Sequence, residues 1–360
     1  MKYNLSDVCS RLSSGKNIRA SEISSEGEYP VFGGNGQRGF TNHFNFDGEC
    51  AIIGRQGAFC GNVRYFSGKA YMTEHAVVVC ANDKSNIRYL AYLLSRMQLG
   101  RLSGQSAQPG LSVKVLAQQE IELPPIEYQN KIASILGSIE AKIFLNTAIN
   151  DNLEQQARAL YQRMFIDNPV SGGYMGTLSD IADITMGQSP NGSSYNEDGN
   201  GAVFFQGRAE FGFRFPSVRL YTTEPKRMAC ANDTLMSVRA PVGDLNVAYT
   251  DCCIGRGLAA IHSKSNQQSF VLYTMFSLHK QLDVFNGEGT VFGSINRTSL
   301  TELPIFIPSD REIVKFEAIV APIDAAIRNN YEEICRLEKI RDALLPKLMS
   351  GELDVSAIEL

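Results

Sequence analysis

Residues 121–165 read IELPPIEYQNKIASILGSIEAKIFLNTAINDNLEQQARALYQRMF, and residues 305–349 read IFIPSDREIVKFEAIVAPIDAAIRNNYEEICRLEKIRDALLPKLM. Set against each other at an offset of 184, the two stretches agree without a gap. Lys131 falls on Lys315, Ile135 on Ile319, Ile139 on Ile323, Ile143 on Ile327, and Leu153-Glu154 on Leu337-Glu338. Within 127–165, apolar residues sit at 132, 136, 139, 143, 153, 157, 160 and 164. The corresponding apolar set within 311–349 is Phe316, Val320, Ile323, Ile327, Ile334, Leu337, Leu344 and Leu348. Spacings of three and four are the a/d seam of a coiled coil, here sustained over about five heptads. Helices over 127–165 and 311–349 would each be about 60 Å long by helix rise, too long to lie on one ordinary domain.

The repeat extends outward. Leu111-Ser112 and Leu116 match Ile295-Asn296 and Leu300, and LSDV at 5–8 returns as LSDI at 178–181, now at an offset of 173. The chain thus reads as a pseudo-twofold tandem duplication of class α+β, each half a mixed α/β module followed by a long helix. The expected boundaries are 1–120 and 170–304 for the modules, and 121–169 and 305–360 for the helical segments. Strand-like runs cover Cys50–Gly54, His75–Cys80, Thr234–Val238 and Gly257–Ile261, with helices expected over Ile87–Leu99 and Phe270–Leu282. The Gly-rich stretch Asn168–Gly173 marks the joint between the first long helix and the second module.

At 360 residues, the chain is long enough for two domains, each with its own core. A charged fraction of 20% excludes a disordered or fibrous chain, and the net charge of −4 excludes a globally basic nucleic-acid binder without excluding a local basic face. No uninterrupted apolar run reaches bilayer length and the N-terminus lacks a signal-peptide pattern, so the expectation is a cytoplasmic protein with no membrane. Eight Cys occur without any C-x-x-C pair, which fits a reduced chain better than a disulfide framework or a zinc ribbon.

The catalytic motifs that would make the chain an enzyme are incomplete. Phe32-Gly-Gly-Asn-Gly36 fits the F-x-G-x-G loop by which adenine methyltransferases hold S-adenosylmethionine, but the accompanying N/D-P-P-aromatic motif is absent, and a surface loop is the commoner source of such a pattern. There is no P-loop. His43, His75, His262 and His279 lack ligand spacing, so no metal site and no cofactor in this chain are expected. Glu140-Ala-Lys142 mimics the end of a nuclease motif on what reads as a solvated helix face.

What remains is a set of Arg, Gln and Asn on Gly-rich turns. In the first module these are Asn35, Gln37, Arg38, Arg55, Gln56, Gln105 and Gln108; in the second, Gln206, Arg208, Arg214, Arg239, Arg256, Asn296 and Arg297. Such side chains address base edges bidentately, Arg to guanine and Asn or Gln to adenine. Residues 1–120 carry 13 basic against 9 acidic side chains, and 305–360 carry 7 against 11, whereas 170–304 carry 10 against 12. Arg55 and Arg239 each follow an apolar strand at a corresponding place, in AIIGR and LMSVR.

The ordered set LSDV/LSDI, VFGGNGQRGF at 31–40, AIIGRQGAFCGNV at 51–63, SAQPGLS at 106–112, ELPPIEYQNKIASIL at 122–136 and LLPKLMSGELDV at 344–355 resembles the DNA specificity subunit of type I restriction–modification enzymes. The resemblance spans essentially the whole chain. It implies two target-recognition domains, each reading half of a bipartite double-stranded DNA site, and two antiparallel helices that set the spacer. Further implied are docking of two methylation subunits on those helices and of restriction subunits through them. S-adenosylmethionine, ATP and Mg would belong to the partner chains, leaving this chain non-catalytic. Because the chain opens directly in its first module, no additional N-terminal docking element is expected. A self-contained adenine methyltransferase and a coiled-coil protein-binding adaptor are the rival readings.

The repeat arithmetic also reaches single residues. Asn146 and Asn330, related by the 184 offset, fall on seam positions where apolar residues are expected. If the helices run antiparallel, the two amides are expected to face each other near the midpoint and fix helix register.

Overall fold

The computed structural model describes residues 1–103, 110–167, 172–287 and 293–358. The chain divides into two compact units, Met1–Leu145 with Glu333–Leu360, and Asn146–Glu332. The division cuts each long helix near its middle, so each unit holds one module and half of both helices. The physical reason is that the half-helices have no core of their own: their apolar positions are buried in the modules' cores.

In the first unit, a strand Lys2–Asn4 pairs antiparallel with Glu120–Glu122, so the module's two ends meet. The short turn Leu5–Val8 is the LSDV motif, and its chemistry explains why the motif recurs. Asn4 N–H donates to Asp7 Oδ2 at 3.0 Å, an acidic third residue reaching back to satisfy an orphan donor. A six-stranded sheet follows, in the order Cys9–Ser14, Ala76–Ala81, Phe46–Gly54, Val63–Met72, Tyr29–Gly33, Gly36–Thr41. The helix Ile87–Arg96 begins at Asn86, whose side chain accepts from the N–H groups of Arg88 and Tyr89, a cap worth about 1 kcal/mol.

The core of this unit joins Leu5, Ile53, Val77, Val79 and Leu90 to Ile132 and Leu136 of the first long helix and Leu348 of the second. The first long helix runs Ile126–Tyr161 and continues as a π-helical turn Gln162–Asp167. The second runs Asp310–Ser350. In this unit they pass in opposite senses: Tyr128 OH donates to Leu353 O at 2.9 Å, and Lys142 lies 3.4 Å from Glu333. Gly137 is where the module meets the helix most closely, since a Cβ there would lie 2.1 Å from the Arg88 guanidinium. Glu140 accepts from Tyr92 OH at 2.7 Å. The solvated helix face expected for Glu140-Ala-Lys142 holds for the exposed Ala141 and Lys142 and is corrected only at Glu140, which is half-buried against Tyr92.

The second unit repeats the plan. Tyr174–Thr177 pairs antiparallel with Pro304–Ile307, and LSDI forms a helical turn Leu178–Ile181 in which Thr177 N–H donates to Asp180 Oδ2 at 2.7 Å. Two sheets follow, one ordered Ala182–Met186, Leu258–Ser263, Thr234–Ser237, Leu245–Val247 and the other Tyr195–Asn196, Leu220–Thr222, Ala202–Phe205, Cys252–Ile254, Met228–Ala229. The expected helix over Phe270–Leu282 is two helices, Gln268–Ser277 and His279–Asp283. The core gathers Phe270, Met275 and Leu300 with Ala157 and Phe165 of the first long helix and Phe316 and Val320 of the second. The Asn168–Gly173 joint lies mostly outside the described residues.

The expectation of no bilayer-length apolar segment needs one correction. Over Ile126–Asp167 the first long helix holds a window of mean hydropathy 1.4, apolar enough by length and composition to cross a membrane. The reason is a second apolar face: besides the buried seam, the helix exposes Phe144, Leu145 and Ile149.

Candidate DNA interface

In the first module, Gly33 and Gly36 are paired, so Gly34-Asn35 forms the tip of a β-hairpin whose strands are Tyr29–Gly33 and Gly36–Thr41. The F-x-G-x-G match therefore closes a strand–strand turn, with Phe32 buried edge-on against Phe66 at 5.0 Å. The glycines serve the hairpin's neighbours. A Cβ on Gly33 would lie 2.6 Å from Arg38 Cδ, and one on Gly36, at φ +100°, would lie 2.6 Å from the Arg64 guanidinium. Two arginines thus cross the hairpin at its glycines. Gly34 also approaches Gln56 O, its missing Cβ only 3.0 Å away, which brings the turn after strand Phe46–Gly54 to the same end of the sheet.

Asn35, Gln37, Arg38, Arg55 and Gln56 are therefore brought together, and all but the half-buried Arg55 are exposed. Arg55 Nη1 donates to Glu74 O at 3.3 Å, and its backbone carbonyl accepts from Leu111 N–H at 2.8 Å. Gln105 and Gln108 lie outside the described residues. Arg64, also exposed, was missed by the sequence reading. It sits inside strand Val63–Met72 rather than on a turn, and only the alternation along that strand, with Arg64 paired to Ile52, marks its place.

In the second module the turn after strand Ala202–Phe205 meets the turn after Cys252–Ile254. Gly255 N–H donates to Phe205 O at 2.8 Å, and Gly255 and Gly257 both lie against Gln206 O. Exposed Gln206 and Arg256 are brought together there. Val238 N–H donates to Gly257 O and Ile295 N–H to Val238 O, which draws in exposed Arg239 and the segment leading to exposed Arg297. The expected correspondence of Arg55 and Arg239 is off by one residue: Leu111 N–H donates to Arg55 O whereas its counterpart Ile295 donates to Val238 O, and Gly110 bridges Gln56 as Ser294 bridges Arg239, so Arg239 matches Gln56.

Three candidates in this module have other occupations. Arg208 is paired with Asp244. Asn296 caps the helix Arg297–Thr301, its side chain accepting from Ser299 N–H at 2.8 Å, as Ser112 caps Val113–Ala117. Arg214 is the clearest correction. It is 4% exposed, with its guanidinium 3.1 Å from Glu154 of the first long helix, 3.4 Å from Asp324 of the second and 3.1 Å from Tyr273 OH. Burial holds the Asp324 carboxyl above the usual carboxylate range even beside Arg214. Arg214 locks its module to both half-helices and does not reach solvent, let alone a base. The sequence signal was ambiguous because a guanidinium suits a carboxylate pair as well as a guanine edge.

The register pair is also redrawn. Asn146, 1% exposed, is buried as expected, but Asn330 Nδ2 donates to Asn150 Oδ1 at 2.9 Å, and Asn150 Nδ2 donates to Ile327 O at 3.2 Å. Asn150 lies one turn beyond Asn146 on the same face and is 3% exposed. Its counterpart at 184 is Ile334, so the duplication could not reveal it; the four-residue spacing from Asn146 could have.

A module that gathers exposed Arg, Gln and Asn at one end of a sheet and is anchored on long helices has the side chains that a sequence-reading nucleic-acid binder uses. Comparison with known proteins agrees. Residues 1–155 match the family described as Type I restriction modification DNA specificity domain. The MjaX type I restriction enzyme specificity subunit of Methanocaldococcus jannaschii is 30% identical over 321 residues, 82% of this chain and 76% of that protein. The EcoprrI specificity subunit of Escherichia coli is 42% identical over 134 residues, 36% of this chain and 33% of that protein. A solved type I restriction–modification S subunit from M. genitalium superposes with a TM-score of 0.66 at 18% identity, covering 97% of this chain and 95% of that one, which shows a shared fold. The chain belongs to the type I restriction–modification DNA specificity subunits.

Proposed function

We propose that this chain is the non-catalytic reader of a type I complex, each module entering the major groove over one half of a bipartite site. The observation that carries this reading is the pair of Arg/Gln/Asn clusters, one in each module, placed at corresponding strand ends and flanked by the same capped short helix. In the first module the base-facing set is Asn35, Gln37, Arg38, Arg55, Gln56 and Arg64; in the second it is Gln206, Arg239, Arg256 and Arg297.

The modules are the two copies of a tandem duplication, and the long helices wind as an antiparallel coiled coil that sets the spacer. Exposed Phe144, Leu145 and Ile149 on the first helix suit docking of two methylation subunits, through which restriction subunits join. S-adenosylmethionine, ATP and Mg act in those partners, in the cytoplasm.

The test is an exchange of residues 1–120 for the first module of another family member, assayed in the presence of methylation subunits by mapping methylated bases. One half-site should change and the other stay. A change in both halves refutes independent reading, and methyl transfer by the purified chain alone would establish the rival methyltransferase reading.

A further inference from the structure

On strand Leu258–Ser263, His262 stands directly opposite Asp183 in the antiparallel ladder with Ala182–Met186. In the ladder on its other side Thr234 pairs with Ile261, which puts Asp233 beside His262 in the same cross-strand row. His262 Nδ1 lies 2.6 Å from Asp233 Oδ1. Cys230 opens the turn that leads into Asp233, and single ligand atoms of Cys230, Asp233 and His262 all lie within 4.8 Å of one another. Two chain segments thus bring a thiol, an imidazole and a carboxylate to one point.

The point is built rather than incidental. Asp233 is 3% exposed, while Cys230 and His262 are open to solvent. The turn is held by Cys230 N–H donating to Asp233 Oδ2 at 2.8 Å, Ala231 N–H donating to Asp251 Oδ1 at 2.8 Å, and Asn232 N–H donating to Ala248 O at 2.8 Å. Asp183 is exposed and lies 3.9 Å from Lys264. A directly opposite pair has its Cβ atoms about 4.5–5.5 Å apart, so a rotamer change brings the Asp183 carboxylate to the same place.

We propose that Cys230, Asp233 and His262 bind a divalent transition-metal ion of zinc's class, with Asp183 taking the fourth position. The donor set decides the class. Calcium and magnesium take oxygen ligands, whereas one thiolate, one imidazole and carboxylates suit zinc or cobalt in tetrahedral geometry. Metal–ligand bonds of about 2.0–2.3 Å leave tetrahedral donors about 3.3–3.8 Å apart, so His262 and Asp233, now 2.6 Å apart, would open slightly around an ion while the trio stays within its 4.8 Å span. The same trio could be read as a Cys–His–Asp nucleophile, but the surroundings oppose it. Asp233 first, then partial burial and Asp251, push the Cys230 thiol above its ordinary value, which keeps it protonated. The site ties the strand-entry turn at 230–233 to strand Leu258–Ser263 and does not depend on the DNA-reading role.

The experiment uses the full, untagged, reduced chain after chelation, titrated first with Co²⁺ and then with Zn²⁺. Expected are one equivalent of Co²⁺ with a thiolate-to-cobalt charge-transfer band, its displacement by Zn²⁺, and a rise in Tm with Zn²⁺. Cys230→Ser should abolish the band, and His262→Ala should weaken Zn²⁺ binding tenfold or more. Both positions are exposed, and unchanged circular dichroism of the metal-free variants confirms that they fold. Absence of the thiolate band, its persistence in Cys230→Ser, or Zn²⁺ affinity unchanged in His262→Ala would overturn the site.

Discussion

Arg214 and Arg64 show how the same side chain is assigned opposite work by its surroundings. Arg214 is buried between Glu154, Asp324 and Tyr273, whereas Arg64 lies exposed across Gly36. Arg214→Met should therefore destabilise the protein by about 3–5 kcal/mol, because it leaves the Asp324 carboxylate desolvated without this cation and leaves Glu154 with Arg158 alone. Urea denaturation followed by circular dichroism reads this as a lower midpoint. Arg64→Ala and Arg55→Ala should leave stability within about 0.5 kcal/mol. In the assembled complex each should cost about 1–3 kcal/mol of discrimination in one half-site. Equal loss of affinity for cognate and unrelated DNA would demote both to phosphate contacts. None of the arginines could be sorted in this way from residue type alone, since the sorting depends on which carboxylates the fold brings near.

The long helices were legible at the level of whole elements. Of their sixteen expected seam positions, Ile132, Leu136, Ala157, Phe316, Val320, Ile327 and Leu348 are buried and the other nine are half-buried. Heptad spacing works because it depends only on helix geometry and apolar area, both local properties. The polar layer was harder, because its partner is chosen across the interface. Asn150, one turn from Asn146, accepts from Asn330. Replacing Asn150 or Asn330 singly by Leu should cost about 1–3 kcal/mol, since each leaves the other amide short of a partner in a largely dry layer. Replacing both should cost less than the sum, with a coupling of about 0.5–3 kcal/mol in a double-mutant cycle measured by urea denaturation. Strict additivity would show that the two amides are independent. The capped turns LSDV and LSDI were visible as a repeat, yet their meaning, an Asp reaching back to the residue before the turn, needed the backbone.

For the whole molecule, charge decides how DNA is held. With a net charge of −4, the chain alone should bind duplex DNA weakly, and tight binding should need methylation subunits. The slope of log affinity against log salt, close to −0.9 per neutralised phosphate, should be steeper for the complex than for the bare chain. Fluorescence anisotropy across a salt series measures both. Equal slopes would mean that partners add no backbone contacts.

Periodicity and internal repetition carried the plan of two modules and two long helices, because burial of an apolar stripe is written residue by residue along the chain. The division into compact units was not written there. It cuts both helices at their middles, since each half-helix completes the core of the module it packs on. The Cys230–Asp233–His262 cluster likewise escaped any ligand spacing, because its members join through a strand ladder between residues nearly thirty positions apart. Asn296 was read as a base contact and is a helix cap; Arg214 was read the same way and is a buried lock. In each case the residue type offered several partners of similar chemistry, and only the tertiary structure, by setting which partner lies within about 3 Å, chose among them.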